Sequence, residues 1–310
     1  MTKWTPAAVL RSCAGSASPA SASSRTSVST SRDDLVASGR AGDARISLAR
    51  DEHGGVTVVV DGQPQSYVQP DDPRLLAFEY VQHLALAIEA CCPHPPTRLA
   101  VTHVGGAGLT LPRWVEATRP GSPQIVLEPD EALTAFVREA LPLPRRHRIR
   151  VRPQDGLTGV CALETGSADV LVTDAYAAGR VPAELTSATY LRAVARVVKP
   201  TGPALWNLAD EPGFRWGARM VAAIRACLPE VAIVATHEVL KGKRFGNTVV
   251  IAGHRPLPIG DLRRRVAGAP LPTGLRDGDS LRRMLAGAKP FDDQGEMGPP
   301  APEAKGWRVV

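Results

Sequence analysis

Nowhere does the sequence hold an apolar run approaching the roughly 18 residues needed to span a bilayer, and residues 1–40 lack the continuous apolar core of a secretory signal. A cytoplasmic protein with no membrane partner is the expectation. Cysteine is scarce as well. The five thiols, at positions 13, 91, 92, 161 and 227, include no C-x-x-C pair, which fits neither a disulfide framework nor a zinc site. The seven histidines show no H-E-x-x-H or comparable spacing, so no metal is expected, and His103 reads as a core histidine. In the glycine-rich stretch "GGAGLTLPRW" no lysine and no Ser/Thr stand in Walker order, which argues against a phosphate cradle.

The chain has 310 residues, 44% of them hydrophobic, enough for a sizeable buried core. Its formal charge of +6 accompanies an excess of arginine over lysine and abundant Ala, Gly and Pro. That reads as compositional bias rather than a nucleic-acid footprint, and no nucleic acid is expected as a partner.

Residues 1–40 include "SCAGSASPASASSRTSVSTS", small and polar, whose burial could not offset the lost chain entropy. A disordered Ser/Ala-rich tail is predicted there. "ARISLAR" and "GVTVVVDGQPQSYV" alternate apolar and polar positions around turn residues and predict a small N-terminal β unit over 41–70. Over 71–258 the pattern changes. A helix fits "DPRLLAFEYVQHLALAIEACC", and strands fit "RLAVTHV", "QIVLEPD", "RIRVRP", "ADVLVTDAY" and "PALWNLAD". Further helices fit "LPRWVEATRP", "DEALTAFVREAL", "AELTSATYLRAVARVV" and "FRWGARMVAAIRACL". "VAIVATHEVL" and "TVVIAG", joined by the basic turn "KGKRFGN", predict an antiparallel pair. Such alternation specifies an α/β domain, Rossmann-like, with a mostly parallel seven-stranded sheet ending in that hairpin. Residues 259–310, rich in Pro and Gly, predict a C-terminal extension, partly disordered and laid across the domain.

In sheets of this kind ligands bind beyond the carboxyl ends of the strands. The first such strand runs into Gly105-Gly106-Ala107-Gly108, where missing side chains let a ligand approach the backbone or let a helix pack tightly. The second ends at Glu128-Pro129-Asp130, about twenty residues on, where a carboxylate accepts from ribose hydroxyls. Glu128 is the ribose candidate, and Asp130 could simply cap the next helix. The third ends at Asp155-Gly156, a carboxylate for an adenine amino group or a plain Asp-Gly turn. The fourth ends at Asp174, a candidate general base or cation holder unless merely solvated, with Tyr176 two residues on. "RRHRIRVR", at 145–152, reads as a solvated strand edge, and Trp206, Phe214 and Trp216 read as core.

Taken together these pieces resemble the spermidine synthase family, aminopropyltransferases built on the class I S-adenosylmethionine-dependent methyltransferase fold. The family's D-G-x-x-Q segment is matched by Asp61-Gly62-Gln63-Pro64-Gln65, and its G-G-G-D-G-G loop with a following R-E by Gly105 to Thr110 and Arg113-Trp114. Its E-x-D is Glu128-Pro129-Asp130, its D-G is Asp155-Gly156, and its D-S-S-D segment aligns with "DAYA" from Asp174. The resemblance implies a transferase of polyamine biosynthesis that binds decarboxylated S-adenosylmethionine or S-adenosylmethionine through Gln65, Gly105, Gly106, Gly108, Glu128, Asp155 and Gly156. Asp174 would deprotonate an amine acceptor, with Glu79 and Tyr176 binding it, and a homodimer is implied.

Three positions depart from the family. Gly108 stands where the family keeps an amine-binding aspartate, Ala77-Phe78-Glu79 replaces Y-H-E, and Ala177 replaces the second aspartate of D-S-S-D. Each loss removes an acceptor for an ammonium group, and charge-assisted hydrogen bonds contribute roughly 1.5–3 kcal/mol apiece. A retained adenosyl pocket with an altered acceptor site is therefore expected, unless Glu79, Glu184 or Tyr176 substitutes. Two alternatives are a methyltransferase using intact S-adenosylmethionine and a non-catalytic nucleoside-binding or interaction module.

Overall fold

The computed structural model describes residues 35–41 and 44–300. Four antiparallel strands come first: β1 (Leu35–Ala41), β2 (Ala44–Arg50), β3 (Val56–Val60) and β4 (Gln63–Val68), paired in that order. The strand at 35–41 corrects the boundary of the expected tail, and the rest of that tail lies outside the described residues. Alternation in "ARISLAR" works as anticipated over 45–49, since Ile46 and Leu48 are buried while Arg45, Ser47 and Ala49 are more exposed. These apolar faces pack with Val56, Val58 and Val68 on Leu133, Val137 and Leu141 of the main domain.

Eight strands form the second sheet, in the order β12-β10-β11-β9-β8-β5-β6-β7. Its parallel part is β5 (Val101–Val104), β6 (Gln124–Leu127), β7 (Ile149–Arg152), β8 (Val170–Thr173) and β9 (Ala204–Asp210). β10 (Glu230–Thr236) and β11 (Gly246–Gly253) are the anticipated antiparallel pair. The eighth strand, β12 (Thr273–Arg276), corrects the seven-stranded expectation by pairing antiparallel with β10. It belongs to the extension at 259–310, whose described part is ordered through residue 300. "TGLR" is too short and too poor in apolar residues to announce a strand; the open edge of β10 supplies its pairing.

Helices cover both faces. On one lie α1 (Glu79–Cys91), α2 (Thr110–Thr118) and α8 (Ile259–Ala267), around Leu84, Ile88, Val115 and Leu262. The other carries α4 (Gly156–Cys161), α5 (Ala188–Val197), α6 (Arg215–Arg225) and α9 (Gly278–Met284), with α3 (Glu131–Ala140) between the main sheet's edge and the N-terminal sheet. The central strand β9 is buried along its whole length, as expected for a strand covered on both sides. Trp206 packs in this core, as do Phe214 and Trp216. Two further differences have local causes. The helix expected over 183–198 breaks into a 3-10 turn, Ala183–Thr186, and α5, because Ser187 accepts from the Tyr190 N–H and starts the helix afresh. The segment "HEVL" leaves β10 as the short helix α7 (His237–Leu240).

Candidate active site

The loop after β5 is fixed from three sides. Gly105 has φ +94°, and a Cβ there would stand 2.1 Å from the Asp174 carbonyl oxygen, so the ends of β5 and β8 meet backbone to backbone. Gly106 and Ala107 donate their N–H groups to Glu128 Oε2 at 2.9 and 3.3 Å, and the Asp130 N–H donates to Oε1 at 3.1 Å. Glu128 thus ties its own turn to the glycine loop. A carboxylate oxygen carries two lone pairs; Oε2 already accepts two N–H groups, so the remaining acceptor capacity for a hydroxyl lies on Oε1. Asp130 takes the capping role, accepting from the Leu133 N–H at 2.8 Å at the start of α3.

Gly108 faces elsewhere. Its N–H donates to Ser66 Oγ at 3.1 Å, its carbonyl accepts from Arg113 Nε at 3.2 Å, and a Cβ would fall 2.7 Å from that of Ser66. The missing side chain makes room for β4. Arg113 is buried, and it also donates to the carbonyls of Pro142 and Leu141, clamping the loop to the segment after α3. Burial without a carboxylate partner lowers its pKa to about 10. Gln65 is half-buried on β4 beside Ser66.

Asp155 is exposed and accepts from the Thr158 N–H at 2.8 Å as the cap of α4, and that bond holds its pKa below the usual value. Gly156 behind it is buried, with no room for a Cβ against Val104 and Leu185. Gly105 therefore lets backbone meet backbone and Gly156 lets backbone meet the Val104 and Leu185 side chains at the carboxyl edge of the sheet, where Glu128, Asp155 and Asp174 all emerge.

Asp174 follows β8 directly and is half-buried. Asn207 Nδ2, from β9, donates to its Oδ1 at 2.9 Å, and the Tyr80 hydroxyl, from the first turn of α1, donates to the same carboxylate. Burial pushes the Asp174 pKa up to about 6, against the opposing effect of those two donors. Tyr176 donates to the Asn207 carbonyl at 3.1 Å. Burial and the neighbouring carboxylate hold both tyrosines well above the usual phenol value, so each remains a proton donor. Asn207 Oδ1 is buried without a hydrogen-bond partner. Sequence reasoning missed Tyr80 and Asn207. Tyr80 sits at an apolar-periodic position of its helix, which hides its hydroxyl's role, whereas Asn207 has a visible signal as an amide inside an apolar strand.

Glu79 is paired with an arginine. Arg244 Nη2 lies 3.1 and 3.0 Å from its two oxygens, and Arg244 also reaches Glu238 at 3.3 Å and Thr236 Oγ1 at 3.3 Å. The basic turn after β10 therefore sends one arginine inward, onto the carboxylate expected to bind the acceptor. Glu184 and Ala177 are exposed. His103 is buried and bonded to Gln124 Oε1 at 2.9 Å, with its pKa lowered to about 4 by burial.

No family model and no curated relative matches the sequence. Solved structures do. A probable spermidine synthase from Corynebacterium glutamicum is 24% identical with a TM-score of 0.76, over 83% of this chain and 96% of that one. Spermidine synthase from Thermotoga maritima is 17% identical with a TM-score of 0.53, over 85% and 82%. Human methyltransferase-like protein 13, in complex with SAH, is 18% identical with a TM-score of 0.50, over 70% and 96%. The chain has the α/β fold that spermidine synthases share with class I methyltransferases, preceded by a small antiparallel sheet.

Proposed function

We propose that this chain is a spermidine-synthase-like transferase. It takes an S-adenosyl thioether nucleoside at the carboxyl ends of β5 to β8 and passes a group to a small-molecule acceptor other than a free diamine. Asp174 is the observation that carries this reading. A carboxylate with a pKa of about 6, held by Asn207 and Tyr80 against the glycine loop, is ionised at neutral pH yet more basic than an exposed aspartate. Solved neighbours support the ligand class: a spermidine synthase with a TM-score of 0.53 is complexed with the transition-state analogue AdoDATO, and the human methyltransferase with SAH.

The chemistry asks little of the protein beyond placement and a base. As the acceptor nitrogen attacks the carbon beside the sulfonium, its proton passes to Asp174. The C–S bond breaks, its electron pair returns to sulfur, and methylthioadenosine leaves as a neutral thioether that needs no acid. Glu128 would accept from the ribose hydroxyls, and Gly105 and Gly106 would allow the nucleoside against bare backbone. With Glu79 neutralised by Arg244 and alanines at 77 and 177, a diamine finds few of the acceptors it needs. Purified protein given putrescine and decarboxylated S-adenosylmethionine should form spermidine poorly or not at all, and robust formation would refute the acceptor assignment. A homodimer belongs to the same reading and is checked by sedimentation.

Methyl transfer from intact S-adenosylmethionine is the second reading, supported by the human methyltransferase in complex with SAH, with a TM-score of 0.50. Calorimetric preference for the carboxylated donor would select it.

A further inference from the structure

β7 is the edge strand of the main sheet, and its side chains divide sharply by face. Ile149 and Val151 pack with Leu109 and Val126. Arg148, Arg150 and Arg152 occupy alternate positions and so share the opposite face, with Arg150 in register with Ile125. These arginines line a groove of about 460 Å³. Arg148 and Arg150 are exposed, and none of the three forms an ion pair among the described residues. Ile125 and Leu163 also line it, and Glu164 is its one carboxylate. The face is open because the helix over it, α4, has only six residues.

We infer that this groove binds a small molecule carrying a diphosphate group. Three guanidinium groups whose Cα atoms stand about 6.6 Å apart match two or more linked phosphates better than a single carboxylate, and guanidinium recognises phosphate through paired hydrogen bonds. The volume lies within the roughly 300–1,000 Å³ of small-molecule pockets, and the apolar residues leave surface for the rest of the ligand. Carbonyls at the end of α4 do not oppose an anion, since Arg196 already donates to those of Val160, Cys161 and Leu163. Addition of a peptide strand is disfavoured: β7 has four residues, and the Ile149 N–H is taken by His147 Nδ1 at 3.1 Å. The groove also reaches the amino-end side of the sheet, at Ala100, Val101 and Pro123, whereas Glu128, Asp155 and Asp174 follow the carboxyl ends. Its Arg148 end is thus remote from the proposed nucleoside pocket, while Arg152, the last residue of β7, adjoins that pocket through the Glu128 N–H, which donates to its carbonyl at 3.1 Å.

Calorimetry on the full chain with inorganic pyrophosphate and with ADP tests this. Both should bind, and the double variant Arg150→Gln/Arg152→Gln should weaken pyrophosphate at least about tenfold with an unchanged melting profile, while Glu128→Gln leaves pyrophosphate binding intact. Absence of binding at millimolar pyrophosphate, or equal affinity in the double variant, would overturn the proposal. So would affinity for a single-stranded oligonucleotide that exceeds pyrophosphate and grows with length. Aggregation of the double variant with undiminished pyrophosphate binding would assign the arginines to protection of the sheet edge instead.

Discussion

Asp174 sets the first expectation at the level of single side chains. Its folded pKa of about 6 lies above the ordinary 3.8, so the carboxylate is protonated below that range and available as a base above it. Transfer should rise as pH climbs through about 6 and then level off. Tyr80 donates to the charged form, so Tyr80→Phe should move the rising limb to higher pH, a shift that loss of packing alone would not produce. Asp174→Asn should lower the rate by about 10²–10⁴ while adenosyl-ligand affinity survives. The folded state binds that proton more tightly than the unfolded chain, so ionisation costs stability between pH 3.8 and 6; the Asn variant should accordingly melt no lower than the parent at pH 7. Arg244→Met frees the Glu79 carboxylate, and putrescine affinity, read by calorimetry, should improve. The positions of Glu128 and Asp174 were legible because each directly follows an apolar run that forms a strand. Tyr80, Asn207 and Arg244 were not, since their roles depend on contacts between segments distant in the chain.

Elements carry a different kind of constraint. Gly108 lies against Ser66 of β4, with 2.7 Å between the Ser66 Cβ and an added one. Gly108→Ala should therefore destabilise the protein by about 1–3 kcal/mol through overpacking, seen as a lower denaturant midpoint. Gly105→Ala should be worse, because left-handed φ adds to a 2.1 Å overlap with backbone. The parallel strands were readable from apolar runs bounded by turn residues, and the N-terminal strands from alternation. β12 and α4 escaped notice because neither has enough apolar residues to set a period. Edge pairing with β10 makes one, and the Asp155 cap starts the other.

Across the whole molecule, the segment after α9 holds the loop that follows Asp174. Phe291 is buried against Trp216, the Trp216 indole N–H donates to the Glu296 carbonyl at 3.2 Å, and Gly298 pairs with Val181 at 2.9 Å. Arg180 Nε adds a bond to the Gly298 carbonyl at 2.6 Å. The extension thus lies against the loop that carries Arg180 and Val181, next to the proposed site. Phe291→Ala should cost about 3 kcal/mol and speed hydrogen exchange over 177–187. That arrangement was invisible in a Pro- and Gly-rich segment whose order comes wholly from what it touches. The proposed chemistry requires an adenosyl nucleoside at Glu128. Titration calorimetry with methylthioadenosine, S-adenosylmethionine and its decarboxylated form measures this directly. At least one should bind, with affinity falling about 10- to 100-fold in Glu128→Gln for the lost charge-assisted bonds. Failure of all three to bind the folded parent protein, or binding indifferent to Glu128, would contradict it.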